Sequence, residues 1–393
     1  MISTGSQRRF WIGRRSSTER MAEVELVTSR AELGALEADW RSLAELRGNA
    51  FVTPEWFYAW LDGLGGRAQP LVPVVRRPDG LLRGLLPLVA TTGAIRTLRF
   101  AGGDFADEVH PVAAAADDAD VAAAAVPALF ERAATRTVLW LDHVAVEAEW
   151  ADDVVRMRSP VLAAWEDHRI PLPYIDLRGL TWESFLATRS ANFRSQLRRR
   201  QHALEGLPGV RFRRTLDAAE LEADLRAFFE LHEQRWQSLG RGSTLADPRA
   251  RQALASFARD AFAAGWLRLW FLELEGRPAA AWFGWRLGDR YSYYQAGLDP
   301  ARSSLSAGFL LLTHSVRAAI EEGAATYDLL AGGEAFKRRL ATGERTAKTI
   351  VLTRHGGPGH AATAVGVAAR RLGRRLPPNL RRRIRSLRIA ARR

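Results

Sequence analysis

The chain has 393 residues, enough for two packed cores, and its 47% hydrophobic and 26% charged content is that of a globular protein. It holds no cysteine, which excludes disulfides, thiolate metal sites and a cysteine nucleophile, and no run of about 18 apolar residues suggests a transmembrane helix. The +13 charge belongs to the ends. Residues 355–393 carry eleven arginines and no acid, and residues 1–20 carry five arginines and one glutamate, which leaves −2 over residues 21–354. Such ends read as basic appendages to a nearly neutral body.

Residues 1–20 lack the apolar stretch of a signal peptide and read as a basic extension without fixed structure, with Met21 an alternative start. Val24–Thr28 is expected to be a strand. The helix after it has Ser29 as its cap and Leu33, Leu36, Trp40 and Leu43 on one stripe. Thr53 caps a helix with Pro54 at its first position, burying Phe57, Trp60, Leu61 and Leu64. Pro70–Arg76 and Leu81–Val89 read as an antiparallel hairpin around Pro78-Asp79-Gly80. Arg96–Ala101 is a further strand. The segment Gly102–Val112 contains Asp104, Asp107, Glu108 and His110. It reads as an acidic loop in solvent, with a binding role as the sharper alternative. Ala113–Ala134 is expected as a helix and Thr137–Val144 as a strand. Val154–Trp165 gives no clear pattern. Ile170–Leu177 opens the second half, with the boundary near 168.

A helix is expected from Thr181 to about Gly206. Its basic run Arg189–Arg200 reads either as an outer charged face or as a cleft wall, with Arg194 or Arg198 holding an anionic group. After strand Val210–Arg214, Asp217 and Glu220 open a helix reaching Leu239. His232 lies on its apolar stripe, and there the core reading outweighs a catalytic one. A helix from Pro248 to Gly265 leads to three antiparallel strands, Trp266–Leu274, Arg277–Leu287 and Arg290–Leu298. The small-residue loop Asp299–Ala307 then opens the helix Gly308–Glu322, and strand Ala325–Leu330 ends before Gly332, Gly333, Glu334 and Lys337. A strand, a loop opening a helix and a second strand suit an anion, because a helix start offers free N–H groups. Lys348–Thr353 is the last strand. In the tail, Ala361–Leu376 is expected as a helix broken by Pro377-Pro378. The arginines of residues 361–393 are either solvated or laid on an anionic membrane surface.

Several stretches carry a resemblance: Phe51-Val52-Thr53-Pro54-Glu55-Trp56, Leu85-Leu86-Pro87-Leu88, Asn192-Phe193-Arg194 through Arg200, Tyr293 to Pro300, Gly308 to Leu311, and Tyr327-Asp328 to Lys337. In this order they resemble the GNAT acyltransferase superfamily, in the CelD/BcsL-type branch linked to cellulose and exopolysaccharide, which is related to Fem-type aminoacyl transferases. The match covers roughly residues 40–354. It implies an α/β (α+β) chain of tandem GNAT-like halves, each a mixed, mainly antiparallel sheet flanked by helices. These would be an N-terminal half (21–168), an acyltransferase half (169–354) and an arginine-rich tail (355–393).

The resemblance implies acetyl-CoA or another acyl-CoA as co-substrate, with its pyrophosphate on Arg302, Ser303, Ser304, Ser306, Ala307 and Gly308. Leu305 stands where the family pattern has a glycine. Transfer to an amine or hydroxyl needs a base, oxyanion donors and an orienting cleft. Asp328 and Glu334 are the candidate bases. Lys337 is a candidate for a phosphate or the oxyanion, and Tyr294 for the thioester or its leaving thiolate. The plainer alternative for Asp328 and Lys337 is a salt bridge pinning the strand end. Arg194, Arg198 and Gln295 are candidate substrate ligands. No metal is expected. The expected acceptor is a sugar, polysaccharide or cell-envelope precursor, handled in the cytoplasm or at the inner membrane face. Alternatives are an inactive scaffold beside a polysaccharide synthase or membrane, or an aminoacyl-tRNA-dependent transferase. Nucleic-acid binding through the tail is not expected.

Overall fold

The computed structural model describes residues 9–11, 23–103, 105–131, 135–156, 162–240 and 242–375. Two sheets carry the chain. The smaller has five antiparallel strands in the order Arg9–Trp11, Glu23–Val27, Val72–Arg76, Leu82–Leu85 and Val112–Ala113. The larger has eleven, in the order Arg211–Arg214, Leu267–Leu274, Arg277–Leu287, Arg290–Leu298, Thr326–Asp328, Leu162–Asp176, Gly343–Arg354, Thr137–Ala145, Arg96–Phe100, Leu88–Thr91 and Gln69–Pro70. Two of its pairings are parallel, Arg96–Phe100 with Thr137–Ala145 and Arg290–Leu298 with Thr326–Asp328. Helices flank these sheets, giving the mixed α/β class expected.

Long strands make one sheet of both halves. Leu162–Asp176 pairs with Gly343–Arg354, whose other edge pairs with Thr137–Ala145 of the first half. Residue 168 therefore lies inside a strand, at a register shift between Asp167 and Arg169. The unpatterned stretch 154–165 contains the end of the helix Glu149–Arg156 and the start of this strand. Lys348, buried in Gly343–Arg354, donates to Asp152 and Glu166 at 2.9 Å each and ties that helix to the sheet.

Local chemistry sets the breaks. The expected hairpin forms but divides between the sheets, with Val72–Arg76 and Leu82–Leu85 in the smaller and Gln69–Pro70 and Leu88–Thr91 in the larger. Pro87, which has no N–H for a ladder, marks the crossing on one arm. The helix expected over 181–206 is two helices, Trp182–Ala187 and Ala191–Glu205. Ser190 between them is extended, and its hydroxyl accepts the Phe193 N–H as a cap. Of the basic extension, Arg9–Trp11 pairs with Glu23–Val27, and its other residues lie outside the described residues. The tail begins as a helix, Pro358–Arg375, and residues 376–393 lie outside the described residues. Among the described residues, no helix is long and apolar enough to cross a membrane.

The larger sheet has a core on each face. Tyr291, Tyr293, Tyr327 and Trp282 lie under the central helix Ala307–Glu321. On the opposite face, Phe51, Trp56 and Phe57 of the first half join Phe228, Phe257 and Trp285 of the second. Helix Pro54–Gly63 meets helix Pro248–Ala263 so closely that a Cβ at Gly63 would stand 2.6 Å from the Ala253 Cβ.

Candidate active site

Strand Arg290–Leu298 is bonded to Thr326–Asp328 only through Arg290–Ser292. Past Asp328 the chain leans to the other neighbour, with the Leu329 N–H on the Pro173 carbonyl and the Gly332 N–H on the Pro171 carbonyl. A gap thus opens between Tyr293–Leu298 and residues 329–331. Along this stretch Tyr294 is an extra residue: on the strand's other edge the register against Arg277–Leu287 passes from Tyr293 opposite Gly284 to Gln295 opposite Phe283. Such a bulge leaves its residue out of the ladder. Across the gap, Leu330 holds a left-handed φ of 57°, a costly conformation for leucine. Beyond it, the Ala331 N–H donates to Asp107 Oδ2 at 3.2 Å, and the Ala331 carbonyl accepts Lys337 Nζ at 2.6 Å.

Asp107 belongs to the segment expected to be a solvated acidic loop. That expectation is overturned. Glu108 and His110 are 7% and 6% exposed, and the loop lies against the gap. Asn49 donates to the Glu108 carbonyl at 3.1 Å, and His143 Nδ1 bonds the Ala106 carbonyl. The Glu108 carboxylate accepts from Arg290 at 2.5 Å and Arg345 at 3.2 Å, and both guanidinium groups also bind Asp328. Burial alone would raise the Glu108 carboxyl, but Arg290 and Arg345 outweigh it and hold it at about 2. Among the described residues no arginine pairs with Asp107. Burial pushes its carboxyl up to about 6, against the pull of the Ala331 N–H, Lys337 and His143. Three acids (Asp107, Glu108, Asp328) and three bases (Arg290, Arg345, Lys337) thus join the halves.

Several expected site residues take other roles. Asp328 is at 0% exposure, with Oδ2 clamped by two arginines and Oδ1 accepting the Leu330 N–H at 2.8 Å. No face of it is left for a substrate's proton, so it anchors the strand end. Its partners are these arginines and not Lys337. Lys337 is buried, and besides Ala331 it approaches Glu334 at 3.4 Å. Glu334 is exposed at the start of helix Ala335–Leu340. Arg194 donates to the Ala187 and Arg189 carbonyls and closes the preceding helix end, so it does not face a substrate. Arg198 is exposed. Gln295 bonds His232 at 3.2 Å. His232 is 1% exposed, also meets Trp236 and Ser243, and is lowered to about 4 by burial, as a neutral core residue. The Tyr294 hydroxyl donates to the Phe105 carbonyl at 3.0 Å, and burial pushes its pKa up, so it keeps its proton.

The presumed phosphate loop is a short 3₁₀ turn, Pro300–Leu305, capped by Asp299. Ser303 and Ser304 are exposed, Leu305 packs into the core, and Arg302 lies 3.6 Å from Asp299 and 3.7 Å from Glu275. Ser306 caps the central helix with φ 55°. The N–H groups of Ala307 and Gly308 fall in its first turn, where helical geometry supplies no partner. Gly308 also serves packing, since a Cβ there would meet Leu298 at 2.6 Å. Arg200, not singled out in the sequence, stacks on Phe309 of that turn at 4.8 Å.

Residues 191–338 match a family model described as an acetyltransferase (GNAT) domain. Over that stretch, which lies within the second half, the chain is similar to a GNAT domain. Solved structures extend the likeness of fold to most of the chain. FemX is 10% identical with a TM-score of 0.57, covering 79% of this chain and 95% of that one. The C-terminal DUF2156 domain of a putative lysylphosphatidylglycerol synthetase from Agrobacterium fabrum is 14% identical with a TM-score of 0.52, covering 87% and 96%. A conserved protein of unknown function from Bacteroides thetaiotaomicron is 11% identical with a TM-score of 0.54, covering 84% and 99%. No curated protein matches. The strand gap, the bulge and the central helix start all lie within residues 191–338, while Asp107 and Glu108 reach them from outside that stretch.

Proposed function

We propose that the protein transfers an acyl group, acetyl in the simplest case, from acyl-CoA to an amine or hydroxyl at the gap beside Tyr294. The observation that carries this reading is Asp107, a carboxyl raised to about 6 and held on the Ala331 N–H at the edge of a bulged strand gap. A carboxylate of that strength takes a proton from the attacking group near neutral pH. A backbone N–H of Tyr293–Leu298 that faces the gap, where pairing with Thr326–Asp328 has ended, stabilises the oxyanion. The thiolate leaves and takes up the proton through the base or water, while the Tyr294 hydroxyl, donating to the Phe105 carbonyl, holds the loop that carries Asp107. Lys337 fixes the Ala331 peptide on which Asp107 rests. The amides of Ala307 and Gly308, flanked by Arg302 and Arg200, receive the donor's phosphates.

The ordered sequence motifs support the CelD/BcsL-type branch and, with it, a cell-envelope or polysaccharide acceptor handled in the cytoplasm. The arginine-rich tail supports peripheral contact with an anionic membrane. The test is thiol release from acetyl-CoA against a panel of amines and alcohols. Asp107→Asn is expected to lower turnover by about 10²–10⁴-fold with its cooperative melt retained. Undiminished turnover in that variant contradicts the proposal.

A further inference from the structure

Just past strand Arg290–Leu298, the Asp299 N–H donates to the Ala279 carbonyl at 3.0 Å, so these residues form a bonded pair against Arg277–Leu287. Bonded and non-bonded pairs alternate along antiparallel strands. With Gly297 opposite Ala281 and Ala296 opposite Trp282, Ala296 is a non-bonded residue, and its N–H and carbonyl leave the strand on the other edge. That edge borders the gap, because pairing with Thr326–Asp328 stops at Ser292. The Ala296 carbonyl accepts there from Arg235 Nη1 at 3.1 Å, which puts the Arg235 guanidinium at the gap. The Ala296 N–H faces the same way, as an oxyanion donor must. Burial raises the Tyr293 hydroxyl, and Arg235 beside it pulls the other way, so the guanidinium lies between Tyr293 and Ala296.

Arg235 is half-buried and has no counter-charge. Among the described residues no carboxylate pairs with it. Glu233, on its own helix, goes to Arg251 at 2.7 Å, and Glu334, which also acts on the Tyr293 hydroxyl, stays with Lys337 at 3.4 Å. Other arginines of the second half, Arg213, Arg214, Arg268 and Arg290, each bind a carboxylate. A guanidinium offers five N–H donors in a planar fork that matches a carboxylate or a phosphate, and the Ala296 carbonyl takes one of them. We propose that Arg235 is the specificity-determining residue of the gap, and that the acceptor is an amine or alcohol bearing an anionic oxygen group, a carboxylate or a phosphate, held by this guanidinium. The assignment rests on the transferase reading of the gap and narrows its acceptor. Arg235 stands in the last turn of helix Ala218–Ser238, which packs through Phe228 and Leu231 on the face opposite the central helix. The central helix start receives the donor, so a charge arriving from the other face serves the acceptor. Asp107 reaches the gap on the wall formed by residues 329–331 and Arg235 on the wall formed by Tyr293–Leu298. The nucleophile and the anionic group thus have separate partners.

Calorimetric titration of the full chain with ethanolamine, β-alanine and O-phosphoethanolamine tests this without turnover, since all three are short amines that differ in the group at the other end. At least one of the two anionic amines is expected to bind about tenfold or more tightly than ethanolamine, the worth of charge-assisted hydrogen bonds. Which one does so tells a carboxylate from a phosphate. Arg235→Gln, whose amide can still donate to the Ala296 carbonyl, is expected to bring that amine to the level of ethanolamine, with the cooperative melt and the acetyl-CoA affinity retained. Arg235→Lys keeps the charge and is expected to keep part of the preference. Should Arg235→Gln lose its cooperative melt, Arg235→Met, of similar length and uncharged, takes its place. Equal binding of all three amines, or no binding of either anionic one by the folded chain, overturns the proposal. So does a preference that survives in Arg235→Gln. If that variant loses acetyl-CoA and keeps the anionic amine, the guanidinium belongs to the donor and the assignment also falls. A preference lost in Arg235→Gln, without any acyl-CoA binding, would sink the donor reading and leave the anion site. Acyl-CoA binding and turnover without the preference would sink only the anion site.

Discussion

Burial raises the Asp107 carboxyl while two arginines lower that of its neighbour Glu108, and opposite pH dependences follow. Asp107 must be ionised to act as a base, so turnover is expected to fall as the pH drops through about 6. Its effect on stability has the other sense. The folded-state value lies above the ordinary one, so its stabilising contribution is complete below about pH 4 and is lost as the pH rises through about 6. Asp107→Asn is therefore expected to be inactive yet more stable than the parent at pH 7, by about 2 kcal/mol, with the gain vanishing near pH 4 in denaturant melts. Glu108 is lowered. Its contribution is present above about pH 4.5 and lost as the pH falls toward 2. Glu108→Gln leaves Arg290 and Arg345 short of a counter-charge and is expected to cost about 3–5 kcal/mol in the same melts at pH 7. Neither acid was legible in the sequence as a residue of the seam between the halves. Glu108 pairs with Arg290 and Arg345, 182 and 237 residues away, and Asp107 meets Ala331, 224 residues away; local pattern carries no information about such pairing. The one local hint was Ala106, Val109 and Val112, apolar residues threaded through the acids and fully buried in the fold.

The elements of the second half were legible because each has its own periodic or capping signal. Asp217 and Pro248 start helices, and the aromatic strand, central helix and following strand appear in the expected order. The sequence did not show where the strands part. Splaying depends on which neighbour Leu329 and Gly332 choose, and that neighbour is a strand more than 150 residues earlier. It also hid the turn at Pro300–Leu305, where small residues read as an open loop although Pro300 and the Asp299 cap favour a helical turn. Strand Arg290–Leu298 is held against helix Ala218–Ser238 without slack. A Cβ at Gly297 would stand 2.6 Å from the His232 nitrogen and 2.8 Å from the Leu231 carbonyl carbon, both backbone atoms of a helix. Gly297→Val is expected to destabilise by about 3 kcal/mol or more, seen as a lowered denaturation midpoint.

At the scale of the molecule the halves are not separable. The eleven-stranded sheet crosses between them through Gly343–Arg354, one core holds residues of both, and the second half's Arg290 and Arg345 are neutralised partly by Glu108 of the first. The full chain is expected to unfold in one transition, and residues 169–354 expressed alone are expected to show no cooperative melt. Two resolved transitions would contradict this. The halves also divide the chemistry. The second half supplies the gap, the bulge and the helix start, and the first half supplies Asp107. Calorimetric titration with acetyl-CoA, on the parent chain and on Ser306→Glu, tests the central claim most directly. A negative charge at Ser306 suits a helix start but repels a phosphate there, and a cooperative melt of the variant checks that it folds. Micromolar binding by the parent that Ser306→Glu abolishes is the expected result. Binding that Ser306→Glu leaves unchanged, or no binding by a folded parent chain to acetyl-CoA or longer acyl-CoA, would contradict the account.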